Sequence, residues 1–166
     1  MDTRKKEYTL EIVKWLDYDL IRKMRLRDDD VREICCVNNA PESAERAAEL
    51  IADDCMRFPF TYLCRCNGEP FAVVGTVMTN HHSIRTVWCV GTDLITTGGM
   101  ELLSWSQKVV SEMFTQAPIL ENFVDSRNKT HVKWLRCMGF TFTGVTASIN
   151  GVIFKHFAKV RGDDNV

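Results

Sequence analysis

No stretch of this 166-residue chain approaches the ~18 consecutive apolar residues that a membrane-spanning helix needs. The basic opening "MDTRKKEYTL" is not followed by the apolar run of a signal peptide, so the sequence points to the cytoplasm as its place of work. An excess of one charge is lacking too. Lys and Arg number 21 against 22 Asp and Glu, and the net charge of -1 gives no global pull toward nucleic acid or an anionic surface. Arg4, Lys5, Lys6, Arg22, Lys23, Arg25 and Arg27 make the start of the chain basic, but no aromatic residues alternate with them, and they read as a solvated surface. The seven cysteines contain no C-x-x-C pair, and the four histidines complete no zinc pattern with them. They read as reduced thiols acting as small hydrophobes, with no metal implied. Internal repeats, low-complexity segments and linkers are missing as well, which leaves a single domain over 1–166 with 161–166 as a frayed tail.

What is present is a regular alternation of elements. Hydrophobic content of 45% and charged content of 26% suit a folded globular domain. The β-branched and aromatic run "YTLEIVKW" predicts a first strand. Leu20, Ile21, Met24, Val31 and Ile34 then recur at spacings that suit one or two short helices, with Asp28, Asp29 and Asp30 as N-cap and first turn. "APESAERAAELIADDC" predicts a further helix with Pro41 near its start. "PFTYLCRC" and "PFAVVGTVMT" flank Asn67-Gly68, a pair that favours a hairpin turn, and "IRTVWCVG" gives a third strand. The loop "TDLITTGG" precedes an amphipathic helix, "MELLSWSQKVVSEMF", with Leu102, Trp105, Val109 and Met113 on one side. A strand "PILENFV", a helix "NKTHVKWLRCM" and a strand pair around Asn150-Gly151 complete the chain. The fold class expected is α/β: one mixed, mostly antiparallel sheet with helices on both faces.

That order resembles the GNAT superfamily of acyl-CoA-dependent N-acyltransferases, from about residue 8 to residue 160. The most specific part is "NKTHVKWLRCMGF", where Asn128, Leu135, Met138, Gly139 and Phe140 stand at the spacing of the family's Asn, short helix and apolar-Gly-Phe exit. "NGEPFAVVG" is similar to the family's central hairpin. The resemblance implies an N-acyltransferase moving acetyl from acetyl-CoA to a primary amine. It places the pantetheine arm at Cys89 and Val90, the pyrophosphate at Thr96, Thr97, Gly98 and Gly99, and Asn128 beside the arm. The physical logic of such a site is unpaired N–H groups at a strand end and a helix N-terminus.

The sequence departs from the family at two points. Aligning the family's loop on Gly98 puts Ile95 where Arg or Gln usually stands and Met100 where a small residue does. Leu135 occupies the position at which many members place a Tyr as general acid. The catalytic group therefore stays open, with Glu33 and His131 as candidates: Glu33 to deprotonate an amine, and His131 as a group whose type titrates near neutrality. Asp125 is a further carboxylate nearby in the pattern. "MRLRDDDVREI" together with "VWCVGTD" is similar to a narrower, divergent set encoded by tailed bacteriophages, some of them virion-associated. That likeness implies an alternative: a catalytically degenerate module binding a phage or host protein, in the host cytoplasm or the virion.

Overall fold

Asn67 and Gly68 take φ of 51° and 86°, the positive values that a two-residue hairpin turn of the primed type demands. Around them β2 (Thr61–Cys66) pairs antiparallel with β3 (Glu69–Met78). Asn150 and Gly151, at 49° and 80°, repeat the device between β6 (Thr141–Ile149) and β7 (Val152–Val160). With β1 (Tyr8–Ile12), β4 (Ile84–Gly91) and β5 (Ile119–Asp125) they form one seven-stranded sheet in the computed structural model, which describes residues 6–162. The order is β1-β2-β3-β4-β5-β7-β6. Every neighbouring pair is antiparallel except β4 and β5, which run parallel.

Helices cover both faces. On one, α1 (Tyr18–Arg22), α2 (Asp28–Val37) and α3 (Ala44–Arg57) bury Ile21, Val31, Ile34 and Ile51 against Val73 and Val90 of the sheet. On the other, α5 (Gly99–Met113) and α6 (Lys129–Cys137) bury Leu102, Val109, Val132 and Leu135 against Val74, Val87 and Leu120. The two apolar layers supply most of the folding drive, since removing apolar area from water is the largest favourable contribution. All seven cysteines are unbonded thiols, four of them buried. Among the described residues no helix is long and apolar enough to cross a membrane.

Local chemistry shifts several expected boundaries. The first strand stops at Ile12, because the Asp17 carboxylate accepts the Lys14 N–H (2.8 Å) and turns Trp15–Asp17 into a 3-10 turn. Arg27, not the Asp run, is the N-cap of α2, and Asp28, Asp29 and Asp30 fill its first turn. Within "TDLITTGG" lies a short helix, α4 (Leu94–Thr97), where a loop is expected. Its Thr96 and Thr97 hydroxyls bond the carbonyls of Asp93 and Leu94, one turn back. Arg161 is held to the sheet by its N–H on Pro118 O (2.8 Å), so the expected frayed tail does not begin there, and residues from 163 onward lie outside those described, as do Arg4 and Lys5. Arg27 does not belong to a basic surface either: it is 7% exposed and ion-paired with Asp30.

Candidate active site at the fork between β4 and β5

The parallel pairing of β4 and β5 lasts from Ile84↔Ile119 to Thr86↔Glu121 and then stops. At the fork a side chain replaces the missing backbone partner, with Asn122 Nδ2 donating to Val87 O at 2.9 Å. Backbone N–H and C=O groups alternate sides along a strand, so Val87, Cys89 and Gly91 all turn theirs toward the opening. Those of Gly91 are engaged: its N–H donates to Asp30 Oδ2 (2.9 Å) and its C=O accepts from the Arg27 N–H (2.9 Å). Cys89 presents its backbone between them, where no strand pairs with it. Val90 differs from the expectation for a cofactor contact. Its backbone faces β3 opposite Val73, and its side chain is buried in the α2–α3 layer.

A cavity of about 370 Å³ fills the fork and reaches both faces of the sheet. Cys89, His131 and Trp134 line it on the α6 side, and Glu33, Trp88 and Phe123 on the α2 side. Leu135, at the position where the resemblance implies a proton donor, is buried in the α5–α6 layer and only completes the wall.

The polar floor of the fork is a buried network. Asp30 is 2% exposed and receives Arg27 Nε (3.2 Å), the Gly91 N–H and Asn128 Nδ2 (3.4 Å). Asn128 is 1% exposed, and its oxygen accepts the His131 N–H (3.1 Å) as the N-cap of α6. Its amide also donates to Glu33 Oε2 (3.1 Å). Asn128 therefore caps a helix and ties two carboxylates together, and its amide donors point at those carboxylates. Glu33 Oε1 accepts the Asp125 N–H (3.3 Å), and Asp125 is held in turn by the Arg127 guanidinium at 2.6 Å. A buried ion pair with every lone pair engaged rigidifies its surroundings, whereas one stripped of a partner is costly.

Burial sets the titration of the two candidates. It raises Glu33 from 4.5 to about 7, and the donors from Asn128 and Asp125 offset only part of that. Burial lowers His131 to about 4, so the near-neutral titration suggested by its residue type is absent and the ring is a neutral imidazole at pH 7. Burial also pushes the Cys89 thiol up to about 12, which makes it an inert wall rather than a nucleophile.

At the end of β4 the chain enters α4 and then α5. Gly98 is close-packed: a Cβ there would lie 2.6 Å from Leu102 Cβ. Gly99 takes a left-handed φ of 64° with open space around it. No side chain caps α5, so its first N–H groups are left for another acceptor. The Thr96 and Thr97 hydroxyls turn back on the α4 carbonyls and do not extend that site. Glu101 is the charged residue of the first turn, and no Lys or Arg stands between Thr92 and Gln107.

The sequence offers Glu33 and His131 as catalytic candidates and Cys89 and Asn128 as cofactor contacts, and in the structure these four lie around the fork. Sequence reasoning misses Arg27, Asp30 and Trp88. Asp30 carried a signal: it shares a helical face with Arg27 and Ile34, so a charge stood in an apolar stripe. The two segments behind the phage likeness also touch, through Arg27, Asp30 and Gly91.

The sequence matches no family model and no curated protein. Solved structures do match, over nearly the whole chain. The aminoglycoside acetyltransferase AAC(6')-Ib in complex with coenzyme A aligns with a TM-score of 0.68 at 13% identity, covering 93% of this chain and 95% of that one. A GNAT-family acetyltransferase from Bacillus anthracis gives 0.71 at 9% identity, over 94% and 96%. The ribosomal-protein-S5-alanine acetyltransferase from Vibrio fischeri gives 0.62 at 15%, over 94% of each. The chain thus has the acyl-CoA N-acyltransferase fold, and its site has to be argued from its own residues.

Proposed function

We propose that this protein is an N-acetyltransferase that moves acetyl from acetyl-CoA to a primary amine. The observation that carries the reading is the open fork: a cavity joining both sheet faces, with unpaired strand backbone at Cys89 and a carboxyl near pH 7 at Glu33. The thioester arm would enter from the α5–α6 side, its amides bonding the Cys89 backbone, with the pyrophosphate on the uncapped start of α5. The amine enters from the α2 side. Glu33, as carboxylate, takes a proton from the ammonium, and the freed nitrogen lone pair attacks the thioester carbonyl carbon. The carbonyl oxygen gains charge and is met by the Cys89 N–H. The C–S bond then breaks, the nitrogen sheds its second proton, and the thiolate of CoA leaves and is protonated. Leu135 supplies no proton for that last step, so most of the acceleration rests on holding amine and thioester together.

Similar structures that hold CoA, acetyl-CoA and aminoglycosides support the donor and the amine acceptor as classes. The phage-like alternative has the missing basic residue before α5, Met100 and Leu135 on its side, but a module that only binds a protein has no need of an open cleft through the sheet. Isothermal titration with acetyl-CoA tests the reading. Micromolar binding is expected. Met100→Glu, on a residue 77% exposed, places a carboxylate at the helix start without disturbing the core and should weaken binding about tenfold. No heat with millimolar acetyl-CoA would end it.

A further inference from the structure

The α2 side of the cavity has a composition that selects among amines. Its wall is made by Ile34, Ile51, Phe58, Trp88, Phe123 and Ile149. Trp88 is pressed flat on its neighbouring strand: a Cβ on Gly75 would lie 2.9 Å from three atoms of the indole, so only glycine leaves room for the ring. The charged groups among the described lining residues are carboxylates, Asp30, Glu33 and Asp54, and no Lys or Arg side chain lines the cavity with them. Asp30 is already neutralised by Arg27, and Asp54 lies 3.9 Å from Arg57. Glu33 alone is held by neutral donors, the Asn128 amide and the Asp125 N–H. One carboxylate without a cationic partner thus stands at the inner end of an apolar, aromatic slot.

We infer that the acceptor is an amine with one ammonium group on a flat apolar body, such as an arylalkylamine, and not a polycation or a hydroxyl-rich amino sugar. This rests on the acetyltransferase reading for its chemistry, though not for its binding. An ammonium at Glu33 places the attached body against Trp88 and Phe123, where ring faces and edges favour aromatic contact. Further ammonium or hydroxyl groups would have to be desolvated against Ile34, Ile51 and Ile149, and the polar lining residues Asn38 and Asp54 are engaged by Ile34 O and Arg57, so that desolvation is costly. A methylene-sized difference in such a slot changes discrimination about tenfold or more, and an unpaired polar group changes it further.

The test is a tryptophan-fluorescence titration of the intact protein, without cofactor, using 2-phenylethylamine, hexylamine, spermidine and kanamycin at one ionic strength. The expected order puts 2-phenylethylamine first, at least about tenfold tighter than spermidine and kanamycin. Trp88→Phe should remove the signal. Phe123→Leu, a milder change on the facing strand, should weaken 2-phenylethylamine severalfold and leave spermidine unchanged, which keeps the test open if the first variant fails to fold. Glu33→Gln should weaken both small amines about tenfold. Spermidine or kanamycin binding as tightly as the aryl amine, or no response to any amine, overturns the inference. Parallel titration with acetyl-CoA separates the two claims. Aryl-amine binding without acetyl-CoA binding ends the acetyltransferase reading and keeps the amine site, and the reverse outcome sinks the amine site alone.

Discussion

Glu33 shows how one side chain acquires a role from its surroundings. In the sequence it is a carboxylate in an acidic helix, with nothing to distinguish it from Asp28 or Asp29. In the fold it loses water, keeps two neutral donors, and is raised to about 7. A base works when deprotonated, so kcat/KM should rise with pH through about 7 and level off above it. Glu33→Gln should lower kcat/KM about 100-fold and flatten that rise, as read from pH profiles of acetyl transfer. The stability sign runs the other way. The folded state holds the Glu33 proton between about 4.5 and 7 while the unfolded chain does not, so the contribution of this group to stability falls as pH rises through that window. The sequence offered Glu33 as a candidate base by residue type alone. Its proton affinity was not legible there, because desolvation depends on what packs over the carboxylate.

At the scale of elements, α2 is the piece that organises the fork. Its first turn and N-cap supply Arg27 and Asp30, which together hold Gly91 at the end of β4 and Asn128 at the start of α6. Asp30→Ala leaves the Arg27 guanidinium buried without its counter-charge, and a loss of about 3–5 kcal/mol is expected in urea unfolding. Asp30→Asn keeps a bond to Gly91 or Asn128 and should lose less. By contrast, the exit of α6 was readable in advance. Gly139 adopts a φ of 80°, and the Phe140 N–H closes back on Leu135 O at 3.0 Å, so a glycine before an aromatic residue is enough to specify the stop. The α4 turn was hidden because its threonines favour loops by propensity, whereas here their hydroxyls bond the Asp93 and Leu94 carbonyls one turn back.

The whole molecule closes the α2 side of the cleft with its last hairpin. Asn150, in the β6–β7 turn, donates to Cys36 O at 2.7 Å, and the Cys36 thiol contacts Ile149 O at 3.5 Å, bringing α2 and the hairpin together across 114 residues of sequence. Asn150→Gly keeps the left-handed turn and deletes only the amide. It should cost about 1 kcal/mol in thermal or urea unfolding. It should also raise the acceptor KM severalfold while leaving the acetyl-CoA Kd unchanged, because the proposed donor side lies at α5 and β4, away from this hairpin.

By itself the sequence determined what is local: the hairpin turns at Asn67-Gly68 and Asn150-Gly151, the stop at Gly139, and the apolar stripes that made each helix and strand identifiable. These depend on backbone angles and on neighbours within a turn or a strand. Only the tertiary structure decided the insertion of β7 between β5 and β6, the halt of β4–β5 pairing after Thr86↔Glu121, and the burial of Asp30. It alone also decided the opposite shifts of Glu33 and His131. Each of these is set by which distant segments exclude water from the same place, and that is a property of packing rather than of sequence spacing.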